Sequence, residues 1–113
     1  GSVHIHAFRP TQQARETADR LDAIETATEA RIFLSFAYTD EGGAHTRRTA
    51  RPLGLWFWGK VWTMVAWCEL RDDFRMFRVD RMSDMVGGDA YPPDPDRTLA
   101  AFERGDPCLS ASD

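Results

Sequence analysis

The sequence predicts a mostly β fold, with one leading helix and then a small, strongly bent antiparallel barrel. Three observations carry this. Apolar residues recur at helical spacing only before Arg31, and from Ile32 onward the period is two. Turn-forming clusters, Asp40-Glu41-Gly42-Gly43, Trp58-Gly59-Lys60 and Arg71-Asp72-Asp73, then break the chain at short intervals. A chain of 113 residues that is 42% hydrophobic, with four tryptophans and seven phenylalanines, suits one core in one domain.

Gly1-Ser2 reads as a cloning scar. Val3 to Phe8 alternates weakly until Pro10 stops it, the pattern of an edge strand or a frayed remnant. Thr11 is placed to cap a helix running from about 11 to 30. That stretch has no glycine or proline, and Ala14, Ala18, Leu21, Ile24 and Thr28 form one thin face. Next, Ile32, Leu34, Phe36 and Tyr38 alternate with Phe33, Ser35, Ala37 and Thr39, a strand of about eight residues. A second strand starts near His45 and continues past Pro52 to Phe57, where the proline predicts a bend or an edge position.

The third strand, Val61 to Leu70, puts Trp62, Met64, Ala66 and Cys68 on one face and Val61, Thr63, Val65 and Trp67 on the other. Both faces are largely apolar, so the strand is expected to be covered on both sides. Phe74 to Val79 predicts a fourth strand, and Asp80 to Val86 a short fifth strand, or a strand plus a turn, that Gly87-Gly88 ends. Beyond it the Pro-rich stretch at 91–96 is extended, and Arg97 to Arg104 is expected to form a short helix. The last residues are expected to be disordered. The organisation read from this is a scar at 1–2, an N-terminal segment at 3–20, a β-barrel domain at 21–88 and an acidic, partly disordered tail at 89–113.

Net charge is −4, but residues 31–81 carry +3 between segments of −2 and −5. Lys60 is the single lysine among fourteen basic residues, and arginine suits bidentate contact with phosphate or carboxylate. Cys68 and Cys108 form no CxxC pair and read as reduced thiols of a cytoplasmic protein. No apolar run approaches the roughly 20 residues that a membrane span needs. His4 and His6 share a face of their segment, but with His45 they show no zinc-ligand spacing, so no metal or cofactor is expected. No nucleophile elbow, phosphate loop or dinucleotide fingerprint is present, and an enzyme is not the expected class.

The basic, aromatic middle raises two readings. In the predicted fourth strand Arg75, Phe77, Val79 and Arg81 share a face, opposite Met76, Arg78 and Asp80. Arginines so close to apolar surface need partners. They are either ion-paired to acids such as Asp80 and Glu69 at solvated edges, or they form an anion site. The cluster as a whole favours the second.

Five blocks in order give the middle a family resemblance. They are Asp22-Ala23-Ile24, Phe36-Ala37-Tyr38, the stretch from Arg48 to Leu55 with its Arg51-Pro52-Leu53-Gly54, the stretch from Gly59 to Cys68, and the stretch from Arg75 to Met82. Together they resemble the WYL domain of bacterial winged-helix transcription regulators of the deoxyribose-repressor-like class. The resemblance implies an Sm-like, SH3-type barrel that senses a ligand and controls an attached DNA-binding domain. The ligand it implies is an anionic nucleotide or a single-stranded nucleic acid.

On this resemblance Arg48, Arg75 and Arg78 clamp phosphate by charge-assisted bonds. Trp62 supports the pocket wall, Thr63 offers a small polar contact, and Arg81 either joins the clamp or pairs with an acid. The family's Trp-Tyr-Leu triplet reads Trp62-Thr63-Met64 here. Methionine conserves the volume of leucine, but threonine loses the tyrosine ring, so either a different ligand or poor binding of the family's ligand is expected. No winged-helix sequence is present, which reads as an effector domain cut from a longer regulator or as a stand-alone relative. The rival reading is a protein-interaction or homodimerisation module that uses Trp56 and Trp58 near the turn.

Overall fold

The computed structural model describes residues 11–105. Residues 1–2, expected to be a scar, the segment at 3–8 with His4 and His6, expected to be an edge strand or a frayed remnant, and the chain from 106 on with Cys108 lie outside them. Helix α1 spans Gln12–Ala30, 19 residues. Thr11 caps it as expected, its Oγ1 accepting from the Ala14 N–H at 3.0 Å. Arg31 ends it in the left-handed region at φ 54, with its N–H turned back to the Ala27 and Thr28 carbonyls. Ile24 and Ala27 are buried, whereas Ala14 and Ala18 are exposed. The apolar face predicted for the whole helix thus meets the core only from Leu21 onward. Two methyl groups bury too little area to draw the first turns down.

Five strands follow: β1 (Ile32–Thr39), β2 (His45–Trp58), β3 (Val61–Cys68), β4 (Asp73–Arg78) and β5 (Met82–Ala90). A 3-10 turn, Val79–Arg81, joins β4 to β5, and a seven-residue helix α2, Leu99–Gly105, closes the described chain. All ladders are antiparallel, in the order β4-β3-β2-β1-β5. Asp40 builds the first turn, its Oδ1 accepting from the N–H groups of Gly42 and Ala44, both at 2.9 Å.

The order dictates the curvature. Strands β4 and β5 occupy opposite edges, yet only three residues separate them in sequence. Laid flat, edges four strand spacings apart would stand roughly 19 Å from each other, at about 4.8 Å per spacing. A 3-10 turn that rises about 2 Å per residue cannot cross that gap, so the sheet curls until its edges meet at one corner. The expected barrel is nevertheless not closed. No ladder joins β4 to β5 among the described residues.

The concave face holds the main core. Phe36 and Tyr38 of β1 meet Phe77 of β4 edge-to-face, each with ring centroids 5.1 Å away, although β2 and β3 lie between those strands in the sheet. The Tyr38 hydroxyl accepts from the Arg78 backbone N–H at 3.0 Å and pins the start of the turn. Ile24 and Ala27 of α1 lie against this core with Leu34, Met64, Val79 and Met82.

Strand β2 pairs on both sides only as far as Ala50, so Pro52 has a ladder partner on the β3 side alone, a locally one-sided position. The bend reading holds as well. The ladder with β1 ends at Ala50, and the ladder with β3 shifts register between Pro52 and Gly54. The shift exchanges the faces. Arg48 and Ala50 point inward before it, Leu55 points inward after it, and Trp56 points out to Phe102 of α2.

Two further boundaries differ from expectation. Val79 to Arg81 forms a turn instead of prolonging strand alternation, because the chain must there pass from one sheet edge to the other. Strand β5 runs through Gly87-Gly88 to Ala90 instead of ending at them. A Cβ at Gly87 would lie 3.0 Å from Ile32 Cδ1, so glycine there permits close approach to β1.

The convex face has its own cover. Phe102, 1% exposed, packs edge-to-face on Trp56 and Phe74, and Phe74 on Trp67. Leu99 fits over Gly54, where a Cβ would stand 3.2 Å from Leu99 Cδ2.

Candidate functional site

Phe77 is the centre of the arginine-rich corner. From β2, Arg48 places its guanidinium 5.6 Å above the Phe77 ring and is only 4% exposed. Its Nε donates to Thr46 Oγ1 at 3.0 Å, and its Nη1 points at Cys68 Sγ at 3.7 Å. A guanidinium removed from water needs such contacts. Arg75 lies two residues before Phe77 on β4 and so shares its face. Its Nη1 donates to the Phe74 carbonyl at 2.8 Å and faces Asp73 Oδ2 at 3.3 Å.

Arg78 ends β4 on the opposite parity. It forms a fork on Asp80, Nε to Oδ1 at 3.0 Å and Nη2 to Oδ2 at 2.7 Å. That hydrogen bonding is the main reason the Arg78 guanidinium titrates above its ordinary value and the Asp80 carboxyl below its own. Arg81 adds a smaller attraction on Asp80. It stands in the 3-10 turn, so the face it was expected to share with Arg75 and Phe77 does not extend to it.

The remaining predicted residues sit apart. Thr63 is 5% exposed, pairs across the sheet with Trp56 and Arg78, and faces outward. Trp62 faces inward at the far end of β3. Its ring is 5.1 Å from that of Phe57, and it lines a cavity of about 490 Å³ with Leu21, Glu25 and Leu55. At this corner Arg48 and Arg75 share the Phe77 face, Arg78 leaves β4 on the other face with Thr63 across the ladder from it, and Trp62 is at another place.

Two arginines outside the predicted set hold the convex face. Arg51 lies 5.4 Å from the Phe33 ring and 5.3 Å from the Tyr91 ring. Its Nε is 3.4 Å from Glu69 Oε2, within ion-pair range but not aligned for a hydrogen bond. Arg97 lies 4.5 Å over Trp67 and pairs with Asp94. Burial raises the Tyr91 hydroxyl above the ordinary tyrosine value, opposed by Arg31 and Arg51. Alternation marks Arg51 as facing away from Arg48, but nothing local announces that Tyr91 and Trp67 receive these cations. Cys68 is a free, buried cysteine. His45, exposed, shares a hydrogen bond with Thr39 at 3.1 Å.

Among the described residues no helix is long and apolar enough to cross a membrane. The model of the WYL domain family matches residues 19–86, more than half of the chain. The HTH-type transcriptional regulator YobV of Bacillus subtilis, itself described as uncharacterized, is 33% identical over 84 residues, covering 74% of this chain and 26% of the regulator. Proteasome accessory factor B/C of Arthrobacter aurescens superposes with a TM-score of 0.61 at 23% identity, over 82% of this chain and 14% of its own. The likeness to the latter is one of fold. The chain spans about a quarter of the curated relative it matches.

Proposed function

The chain belongs to the WYL domain family, and from that premise we propose that it is the ligand-sensing module of a bacterial HTH-type transcription regulator. In this reading it works in the cytoplasm beside a DNA-binding domain, binds an anionic nucleotide or single-stranded nucleic acid, and catalyses nothing. The similarity to YobV supports the regulatory part. The strand order and the curl support the finer fold assignment, an Sm-like, SH3-type barrel left open along one seam.

One observation carries the ligand class. Arg75 and Arg78 are held by carboxylates only two residues away, Asp73 and Asp80, whose side chains are 61% and 43% exposed. Exposed ion pairs of this kind contribute roughly 0–1 kcal/mol each. A phosphate offers the same fork with more charge, so it can replace these carboxylates at low cost. Arg48 fixes the field from beneath, over the Phe77 ring. Arg81, next along the turn, adds positive charge to the same corner. Thr63 is nearly closed to solvent and forms wall, not ligand contact. Trp62 belongs to the other cavity.

The test is binding of a fluorescent single-stranded oligonucleotide, followed by anisotropy. The double variant Arg75→Ala, Arg78→Ala should abolish binding with a nearly unchanged thermal midpoint, and wild-type affinity should fall steeply with salt. A collapsed midpoint would make these arginines structural. Unchanged binding would remove them from the site.

A further inference from the structure

The hairpin joining β2 to β3 ends in unusually greasy surface. Phe57 is 61% exposed and Trp58 71% exposed. Next to them stands exposed Lys60, the single lysine of the sequence, in the left-handed region at φ 72. A single exposed aromatic needs no explanation, but two at one tip beside an exposed lysine make an apolar patch with a cation at its edge. The base of the same hairpin opens onto the cavity of about 490 Å³. Leu55 and Trp62 form its apolar floor, and Leu21, Glu25 and Glu29 of α1 its wall. Both glutamates are exposed.

Tip and groove are complementary. The tip supplies an aromatic pair and a cation, and the groove an apolar floor under two carboxylates one helical turn apart. We propose that this hairpin docks into the groove of a second copy of the chain, forming a two-fold dimer in which Trp58 covers the partner's apolar floor and Lys60 meets the carboxylates beside it. Because the groove lies between α1 and the base of the same hairpin, two hairpins lying antiparallel satisfy both contacts at once, which closes the assembly at two copies. The proposal is independent of the arginine corner, since no residue of that corner lines the groove.

Sedimentation velocity from micromolar to millimolar protein tests it. The wild-type chain should associate to a dimer and no further. Trp58→Ala should be monomeric. Lys60→Glu alone, and Glu25→Lys with Glu29→Lys alone, should each weaken self-association by on the order of tenfold or more, because like charges then face each other. Mixing these two charge variants should restore a heterodimer of about wild-type affinity, since both contacts become complementary again. All these side chains are exposed, so circular dichroism should show unchanged folding. A wild-type chain that is monomeric throughout, charge variants that dimerise normally, or a mixture that fails to pair would each overturn the proposal.

Discussion

The two faces of the sheet treat arginine differently. On the concave face Arg48 is 4% exposed and lies over Phe77, which Phe36 and Tyr38 flank. On the convex face Arg51 and Arg97 also lie over rings, but their acids are Glu69, just past β3, and Asp94 in the Pro-rich stretch. The covers differ as well. A capped 19-residue helix lies on the concave face and a seven-residue helix on the convex one. The same cation-over-ring contact is therefore interior structure on one side and a clasp for a thin cover on the other. The contact type alone does not reveal the role. What lies above it does.

The largest expected effect tests the concave side. Phe77→Ala removes a ring with no exposure that touches Phe36, Tyr38 and Arg48. It should cost about 3–5 kcal/mol in denaturant unfolding. Phe102→Ala is the matching change outside and should cost less, about 2 kcal/mol, because a short terminal helix can undock without global unfolding. Hydrogen exchange should then quicken at residues 98–104 while the amides of α1 and β1 stay protected. Equal costs for the two variants would show one cooperative unit and erase the distinction between the faces.

The smallest effect lies at the corner where the faces meet. The Arg78 fork lowers the Asp80 carboxyl below its ordinary value of 3.8. The folded state therefore binds that proton less tightly than the unfolded state does. The stability this contributes is complete above the ordinary aspartate range and is lost as pH falls through the lowered value. With Asp80 43% exposed the amount is about 0.2–1 kcal/mol. Asp80→Asn should flatten the acid limb of a stability–pH curve by that much. An acid limb identical to wild type would place the proton linkage elsewhere.

Much of the fold was legible because its signals are local. Thr11 as cap, the alternation of β1 and the Asp40 turn each depend on neighbours within a few residues. The place of the turn at Val79–Arg81 was not legible, since Val79-Asp80-Arg81 alternates like the strand before it, and the alternation left a strand and a strand plus a turn both open for 80–86. What bends it is the need to join two sheet edges, a property of the whole order. Site reading failed at the same place. Counting by two put Arg81 beside Arg75, while the turn removes it. The convex clasp was hidden for a related reason: Arg51 finds Tyr91, and Arg97 finds Trp67, only after the sheet has formed.

The irregularity in β2 between Pro52 and Gly54 has a consequence for how this domain tolerates change in length. In a period-two pattern one residue shifts the phase of everything after it. Leu53 is the extra residue, so deleting it would let the pair Pro52 and Ala66 run straight into the pair Gly54 and Val65 and leave Leu55 facing the helix and Trp56 facing away, whereas deleting Leu55 would exchange the faces of Trp56, Phe57 and Trp58. The bulge is thus the one point in β2 where a residue can be lost as a shortening; a gap in the paired stretch after it is a rearrangement of surface.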